Sequence, residues 1–403
     1  MIPLLVFALA QGVTLVVSPT GPLRSVEEAV QKAPIGSKVV IRAGTYDVGP
    51  LVLDRRIVLA GEGRPTLRGR GDHTIIRITG DSVEVRGLVL ERVASSFVED
   101  RAALRVENAQ GCVLEDLEIR DAFFGIYLAK ASGCVLRRNH VLGSNREERE
   151  AGNAIHLWDT RDVEISGNTV SGHRDGFYFE FVRGARVSGN TSSANRRYGL
   201  HFMFSDSCTY RRNVFRANGA GVAVMYTRRL EIDSNRFEAN NGPTAYGLLL
   251  KEITDSRITN NTFRENTVGL LTEGGGRLDV LGNAFAQNGW AIRLLANSMN
   301  NRFAGNAFAG NSFDVGTNSK SNYSTFEGNW WDRYRGYDLD RDGRGDTGFR
   351  PVRLFGMLVT RHETATVLLR SAFVDLLDQA ERVLPVFTPE TLIDTAPLMV
   401  RPR

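Results

Sequence analysis

An asparagine recurs along this chain at a nearly constant interval, and that period restricts the fold more than any other feature. The segments VEISGN, ARVSGN, TYRRN, LEIDSN, RITNN, DVLGN, RFAGN and STFEGN end at Asn168, Asn190, Asn213, Asn235, Asn261, Asn283, Asn306 and Asn329, with spacings of 22, 23, 22, 26, 22, 23 and 23 residues. Asn139 ends one longer coil upstream. Five residues after most of these stands a second asparagine: Asn195, Asn218, Asn240, Asn266, Asn288 and Asn311. A glycine follows closely and opens a short apolar run such as GLHFMF, GVAVMY, GLLLKE or GLLTE.

A unit this short leaves no room for the helix pairs of other repeat proteins. It reads as two or three strands of three to five residues separated by turns. Successive units then stack as parallel strands about 4.8 Å apart, each coil contacting mainly its neighbours, with right-handed crossovers. The predicted fold is therefore all-β, a right-handed parallel β-helix of about ten to twelve coils, each of 22 or 23 residues. The asparagine column is expected to form a side-chain amide ladder, helped by the tolerance of Asn for left-handed backbone. Cys112, Cys134 and Cys208 align five places before the asparagine position, on an inward column, and read as small core filler. Cys112 and Cys134 fall on adjacent coils where they could oxidise, whereas Cys208 should stay free.

The ends depart from the period. Residues 24–33, RSVEEAVQKA, predict a short capping helix with Ser25 as N-cap and Glu28 three residues later. Apolar positions over 364–384 predict an amphipathic helix, followed by Pro385, Pro389 and an extended tail. An apolar run over 2–9 overlaps Ala8-Leu9-Ala10, an A-x-A cleavage pattern before Gln11. The expected organisation is a signal peptide over 1–10, an N-terminal cap over 11–60, the β-helix over 61–335, an Asp-rich loop over 336–350, and a C-terminal helix and tail over 351–403. No later segment has the 18 apolar residues of a membrane-spanning helix, so a soluble, periplasmic mature chain is expected. Fifty Lys and Arg stand against 46 Asp and Glu, without a basic run of five. Nucleic-acid binding needs a concentrated positive footprint, so no nucleic-acid partner is expected. Three cysteines exclude a disulfide scaffold and a four-cysteine zinc site.

Strand alternation points to the chemistry. In the strand after the turn glycine, Ile155/Leu157, Phe177/Phe179, Leu200/Phe202, Val222/Val224 and Leu248/Leu250 face inward. The outward pairs are then His156/Trp158, Tyr178/Glu180, His201/Met203, Ala223/Met225, Leu249/Lys251 and Leu271/Glu273. Met203 and Met225 share a column one coil apart, so their Cβ atoms should lie about 5 Å apart. Thioether with imidazole suits Cu(I). The copper candidates are accordingly His156, His201, Met203 and Met225, with Glu180 to compensate charge or orient an imidazole. The competing reading of this face is a docking surface with methionine as adaptable filler, and Trp158, Tyr178, Lys251 and Glu273 are its docking candidates. His173 falls on the second-asparagine column and is expected to serve the ladder. Asp338, Asp340 and Asp342 alternate ahead of Gly343, with Asp346 beyond them, as in calcium loops. Phe349 stands where an EF-hand needs Glu, so calcium is expected there only in a structural role.

Parallel β-helices also carry polysaccharide lyases and glycosidases. Inverting hydrolysis needs two carboxylates about 6.5–9.5 Å apart. Glu180 has no such partner on its face, because Glu273 is four coils away, roughly 19 Å at strand spacing. Fold alone does not imply that function, and no enzymatic activity is expected.

The strings GNAIHLWDT, GHRDGFYFEFV, YGLHFMFSDSCTYRRN, AGVAVMYTRRLEI, YGLLLKEITDS, FDVGTNS, NWWDRYRGYDLDRDGRGD and RPVRLF closely resemble the NosD family, covering most of residues 25–400. The family consists of periplasmic accessory proteins for maturation of the copper centres of nitrous-oxide reductase. The resemblance implies a subunit that sits on the membrane permease of an ABC complex driven by a cytoplasmic ATPase. It implies copper received from a chaperone lipoprotein and presented to nitrous-oxide reductase, with ATP hydrolysis gating the transfer and no covalent chemistry on this chain. The family motif HRDG–FYFEF matches from His173 to Phe181, and GLHFMF from Gly199 to Phe204.

Overall fold

A computed structural model describes residues 12–96, 98–144, 151–295, 297–319, 322–368, a few positions between 371 and 377, and 392–402. Among the described residues the chain is a parallel β-solenoid of about 13 turns with two short α-helices, consistent with right-handed winding. It divides into two compact units, Met1–Arg174 and Asp175–Arg403. The expected signal peptide over 1–10 lies outside the described residues.

In the first unit, Thr14–Val17 pairs in parallel with Lys38–Arg42. Between them lies helix α1, Val26–Lys32, which buries Val26, Ala29 and Val30. Its start follows the sequence: Ser25 Oγ accepts the Glu28 N–H at 3.1 Å. The reciprocal carboxylate is Glu27, which takes the Ser25 hydroxyl at 2.7 Å. Glu28 instead reaches Lys32 one turn on, at 2.5 Å. Each regular coil holds three strands. Ala102–Glu107, Val113–Glu115 and Glu118–Ala122 stack on Phe124–Ala129, Val135–Arg137 and His140–Leu142, all in parallel register. Leu88 and Leu117, both buried, occupy the ladder position in turns ahead of Asn139. Those turns were invisible to an asparagine count.

The second unit repeats the plan. Tyr198–Met203, Thr209–Arg211 and Val214–Arg216 stack on Ala220–Arg228, Glu231–Asp233 and Arg236–Glu238. Asn190, Asn213, Asn235, Asn261, Asn283, Asn306 and Asn329 are all buried. Each amide donates to the Oδ1 of the next, as from Asn213 to Asn235 at 3.0 Å and from Asn283 to Asn306 at 3.0 Å. The second column forms the same ladder from Asn195 to Asn311. The left-handed residue of each turn is not the asparagine but the one before it, as at Arg212 (φ 54°), Ser234 (φ 56°) and Gly282 (φ 63°). The asparagine is selected for its two-sided amide, which satisfies buried backbone groups that a turn otherwise strands. Inside, Phe237, Phe263 and Phe285 stack face to face at 4.7 Å centroid spacing.

His173 occupies the ladder column in the first unit and is buried. Burial pushes its imidazole down to about 4, although a hydrogen bond to the Gly152 backbone acts in the opposite direction. The unfolded chain binds a proton near the ordinary value of 6.5 that the folded chain refuses. Stability is therefore expected to fall as pH drops from about 6.5 towards 4. Urea unfolding at several pH values checks this: His173→Gln should reduce that slope, and an unchanged slope would place the acid sensitivity elsewhere.

Cys112, Cys134 and Cys208 are buried free thiols. A hydrogen bond to Cys134, with burial, pushes the Cys112 thiol far up, and burial pushes Cys208 up to about 12. The thiolate is the metal-binding form, so Cys112 and Cys208 remain core filler, while the hydrogen bond with Cys112 draws the buried Cys134 thiol down instead. Near the C-terminus, helix α2, Leu354–Arg361, precedes a 3-10 helix, Glu363–Leu368. Phe355 and Val359 of α2 pack with Phe313 and Trp290 on the outer face of the sheet. Most of the helix expected over 364–384 lies outside the described residues.

Candidate functional site

The alternation read from the sequence holds: Phe177, Phe179, Leu200, Phe202, Val222, Val224, Leu248 and Leu250 are all buried. In the second unit, Tyr178 pairs with His201 and Glu180 with Met203. His201 pairs in turn with Ala223, and Met203 with Met225. Met225 then pairs with Lys251, and Lys251 with Glu273. One outward column thus runs Glu180–Met203–Met225–Lys251–Glu273. The methionine pair is bracketed by a carboxylate on one side and an ammonium on the other. Lys251 Nζ lies 3.3 Å from Glu273 Oε1, so its charge is partly spent on that contact.

The outward face is far less exposed than alternation alone implies. His201 is only 8% exposed, and Ala223 and Leu249 are buried. Ala220, Ala223, Tyr246, Leu249 and Val268 form one apolar cluster, against which Tyr198, Met225, Leu271 and Trp290 pack. Large side chains one coil away cover their neighbours, because parallel strands are only about 4.8 Å apart. The His201 ring stands edge-on to Tyr178 at 5.1 Å and tilted against Tyr198 at 4.7 Å. Asp175, fully buried, places Oδ2 4.0 Å from His201 Nδ1.

A further column was missed. Phe181, Phe204 and Tyr226 directly follow Glu180, Met203 and Met225, and they stack at 5.5 and 5.1 Å. Each is about 45% exposed, and all three adopt positive φ (56°, 49° and 55°). Bulky residues rarely take that conformation. The signal was present in the sequence, since these aromatics are spaced by 23 and 22 residues.

His156 belongs to the first unit. It stacks on Tyr127 at 4.3 Å, and Asn153 Nδ2 lies 3.0 Å from its Nδ1. Burial, then the charges of Arg174 and Arg105, push its imidazole down to about 3. Trp158 carries the Lys130 ammonium 5.4 Å above its ring. In the Asp-rich loop, carboxylate oxygens of Asp338, Asp340 and Asp342 come within 4.8 Å of one another. Asp346 is not part of that cluster: its Oδ2 accepts the Leu339 N–H at 2.6 Å and closes the loop. Asp338 accepts backbone N–H groups from Asp342 and Gly343.

A family model described as periplasmic copper-binding protein (NosD) matches residues 144–336. A relative from Pseudomonas aeruginosa, named probable ABC transporter binding protein NosD, is 30% identical over 381 residues, covering 90% of this chain and 88% of its own. Its namesake from Stutzerimonas stutzeri is 26% identical over 386 residues, covering 89% and 86%. Among solved structures, the catalytic unit of a GH87 α-1,3-glucanase from Streptomyces thermodiastaticus aligns with a TM-score of 0.62 at 14% identity, over 76% of this chain and 65% of that one. That likeness shows the β-helix alone. The repeat, the outward thioether pair beside a histidine and the similarity along nine-tenths of the sequence converge, and the chain belongs to the NosD family.

Proposed function

We propose that this protein is the periplasmic copper-handling and docking subunit of an ABC-type complex that supplies copper to nitrous-oxide reductase. The observation that carries the reading is the register of Met203 on Met225, with His201 on the same face one residue-pair away. Two thioethers and one imidazole form a soft donor set suited to Cu(I). Copper is cargo here, taken up and passed on. Glu180, next in the methionine column, contributes a compensating negative charge. His156 supports rather than ligates in this reading. An amide N–H directed at Nδ1 leaves the proton on Nε2, and Arg105 and Arg174 oppose a nearby cation.

The expected partners are the membrane permease with its cytoplasmic ATPase, a copper chaperone lipoprotein and nitrous-oxide reductase. The relatives' name, ABC transporter binding protein, supports the first. Trp158, Tyr178, Lys251 and Glu273, together with the exposed ladder of Phe181, Phe204 and Tyr226, are the side chains proposed for docking. The test is an anaerobic Cu(I) titration against a competing chelator. Saturable binding by the wild type should be lost in Met203→Leu/Met225→Leu while the circular dichroism spectrum is retained. Absence of binding by either protein would leave the docking role alone. Turnover of a uronate polymer would instead support a carbohydrate-active protein. Calcium at Asp338, Asp340 and Asp342 is a separate proposal. Terbium luminescence that calcium quenches in the wild type but not in Asp340→Asn would support it, and equal signals would remove it.

A further inference from the structure

We propose that Asp175 is a positioning residue that sets the tautomer of His201 for metal binding; this rests on the copper reading above. Asp175 begins the strand Asp175–Glu180 and is fully buried on the same coil as Tyr178. The Tyr198 N–H donates to its Oδ1 at 3.3 Å, which leaves Oδ2 turned towards His201. Oδ2 lies 4.0 Å from His201 Nδ1, beyond hydrogen-bond length but within ion-pair range. The Tyr178 and Tyr198 rings hold the imidazole from two sides.

A neutral imidazole carries its proton on one nitrogen and offers the lone pair of the other. A carboxylate facing Nδ1 favours the proton there, and in a buried setting its field is little screened. Nε2 then carries the unprotonated lone pair. Ligating histidines are commonly held by a carboxylate in this way, and loss of that partner costs about 10–100-fold in metal affinity. Burial of a carboxylate is otherwise unfavourable, which argues for a purpose at this position.

The experiment compares the wild type with Asp175→Asn, using protein labelled with 15N in its histidines. Long-range proton–nitrogen spectra of the metal-free wild type should show His201 protonated at Nδ1, with the resonance assigned by its loss in His201→Gln. Asp175→Asn should shift the proton to Nε2 and weaken Cu(I) binding about 10–100-fold. Asp175→Glu, which restores the carboxylate, should recover part of that affinity. An Nε2-protonated His201 in the wild type overturns the proposal without any variant. So does equal Cu(I) affinity in wild type and Asp175→Asn. A wild type that binds no Cu(I) defeats the copper reading itself, and the tautomer then shows independently whether Asp175 sets the ring.

Discussion

Replacing Asn261 with alanine is expected to destabilise the protein by about 3–6 kcal/mol. Its Oδ1 accepts from the backbone N–H of Asn235 at 2.8 Å and from the Asn235 amide at 3.0 Å. Its Nδ2 donates to the Ile232 carbonyl at 2.8 Å and to Asn283 Oδ1 at 3.0 Å. All of these groups are buried, so alanine strands donors and acceptors on both flanking coils, at about 1–3 kcal/mol for each group left unsatisfied. Because solenoid coils are stabilised mainly by their neighbours, the damage should be local first. Amide exchange should accelerate around Asn235 and Asn283 before it does at α1. Urea unfolding gives the overall loss. A change below about 1 kcal/mol would mean that water or a local shift replaces the missing amide, and that the ladder is not the stabilising element argued here.

The second large effect is expected at Asp394, which terminates the same ladder. It is fully buried, and its carboxylate accepts five hydrogen bonds. The donors are Gly328 N at 3.0 Å, Asn329 N at 2.9 Å, Asn329 Nδ2 at 2.9 Å, Trp331 Nε1 at 3.0 Å and, within the same turn, Ala396 N at 3.3 Å. Its own backbone pairs antiparallel with Phe349, which ties the segment over 392–402 to the Asp-rich loop. Asp394→Ala leaves five donors facing an apolar methyl. A loss of about 3–5 kcal/mol is expected, the range for removing one partner from a buried charged network. Release of the tail should let trypsin cut after Arg344 within minutes, under conditions where the wild type resists. Asp394→Asn keeps one carbonyl but turns an N–H towards the donors, so it should fall between the two. Unchanged protease resistance in Asp394→Ala would mean that the backbone pairing alone holds the tail.

The docking role proposed for the aromatic ladder differs from these in sign. Phe181, Phe204 and Tyr226 sit at positive φ, where a bulky side chain is strained by roughly 1–2 kcal/mol per residue. Substituting all three with asparagine is expected to leave stability unchanged or slightly raised while weakening association with the permease complex. Pull-down on detergent-solubilised complex checks this, and undiminished association would confine these rings to the surface of this chain.

The sequence by itself determined the coil period, the parallel stacking, the N-cap at Ser25 and the inward column of each strand. These follow from local spacing: side chains alternate with period two, and a repeat of 22 or 23 residues returns the same residue to the same place in the next coil. The columns through Met203 and Met225 were legible for the same reason. Only the tertiary structure decided what covers the outward face. The burial of His201 depends on Tyr178 and Tyr198 from different coils, and the approach of Asp175 depends on the register between two strands. Asp394 ends a ladder 65 residues earlier in the chain, at Asn329, through contacts that no period encodes. Repetition carries its own address along a solenoid, whereas a single buried carboxylate has none until the chain has folded around it.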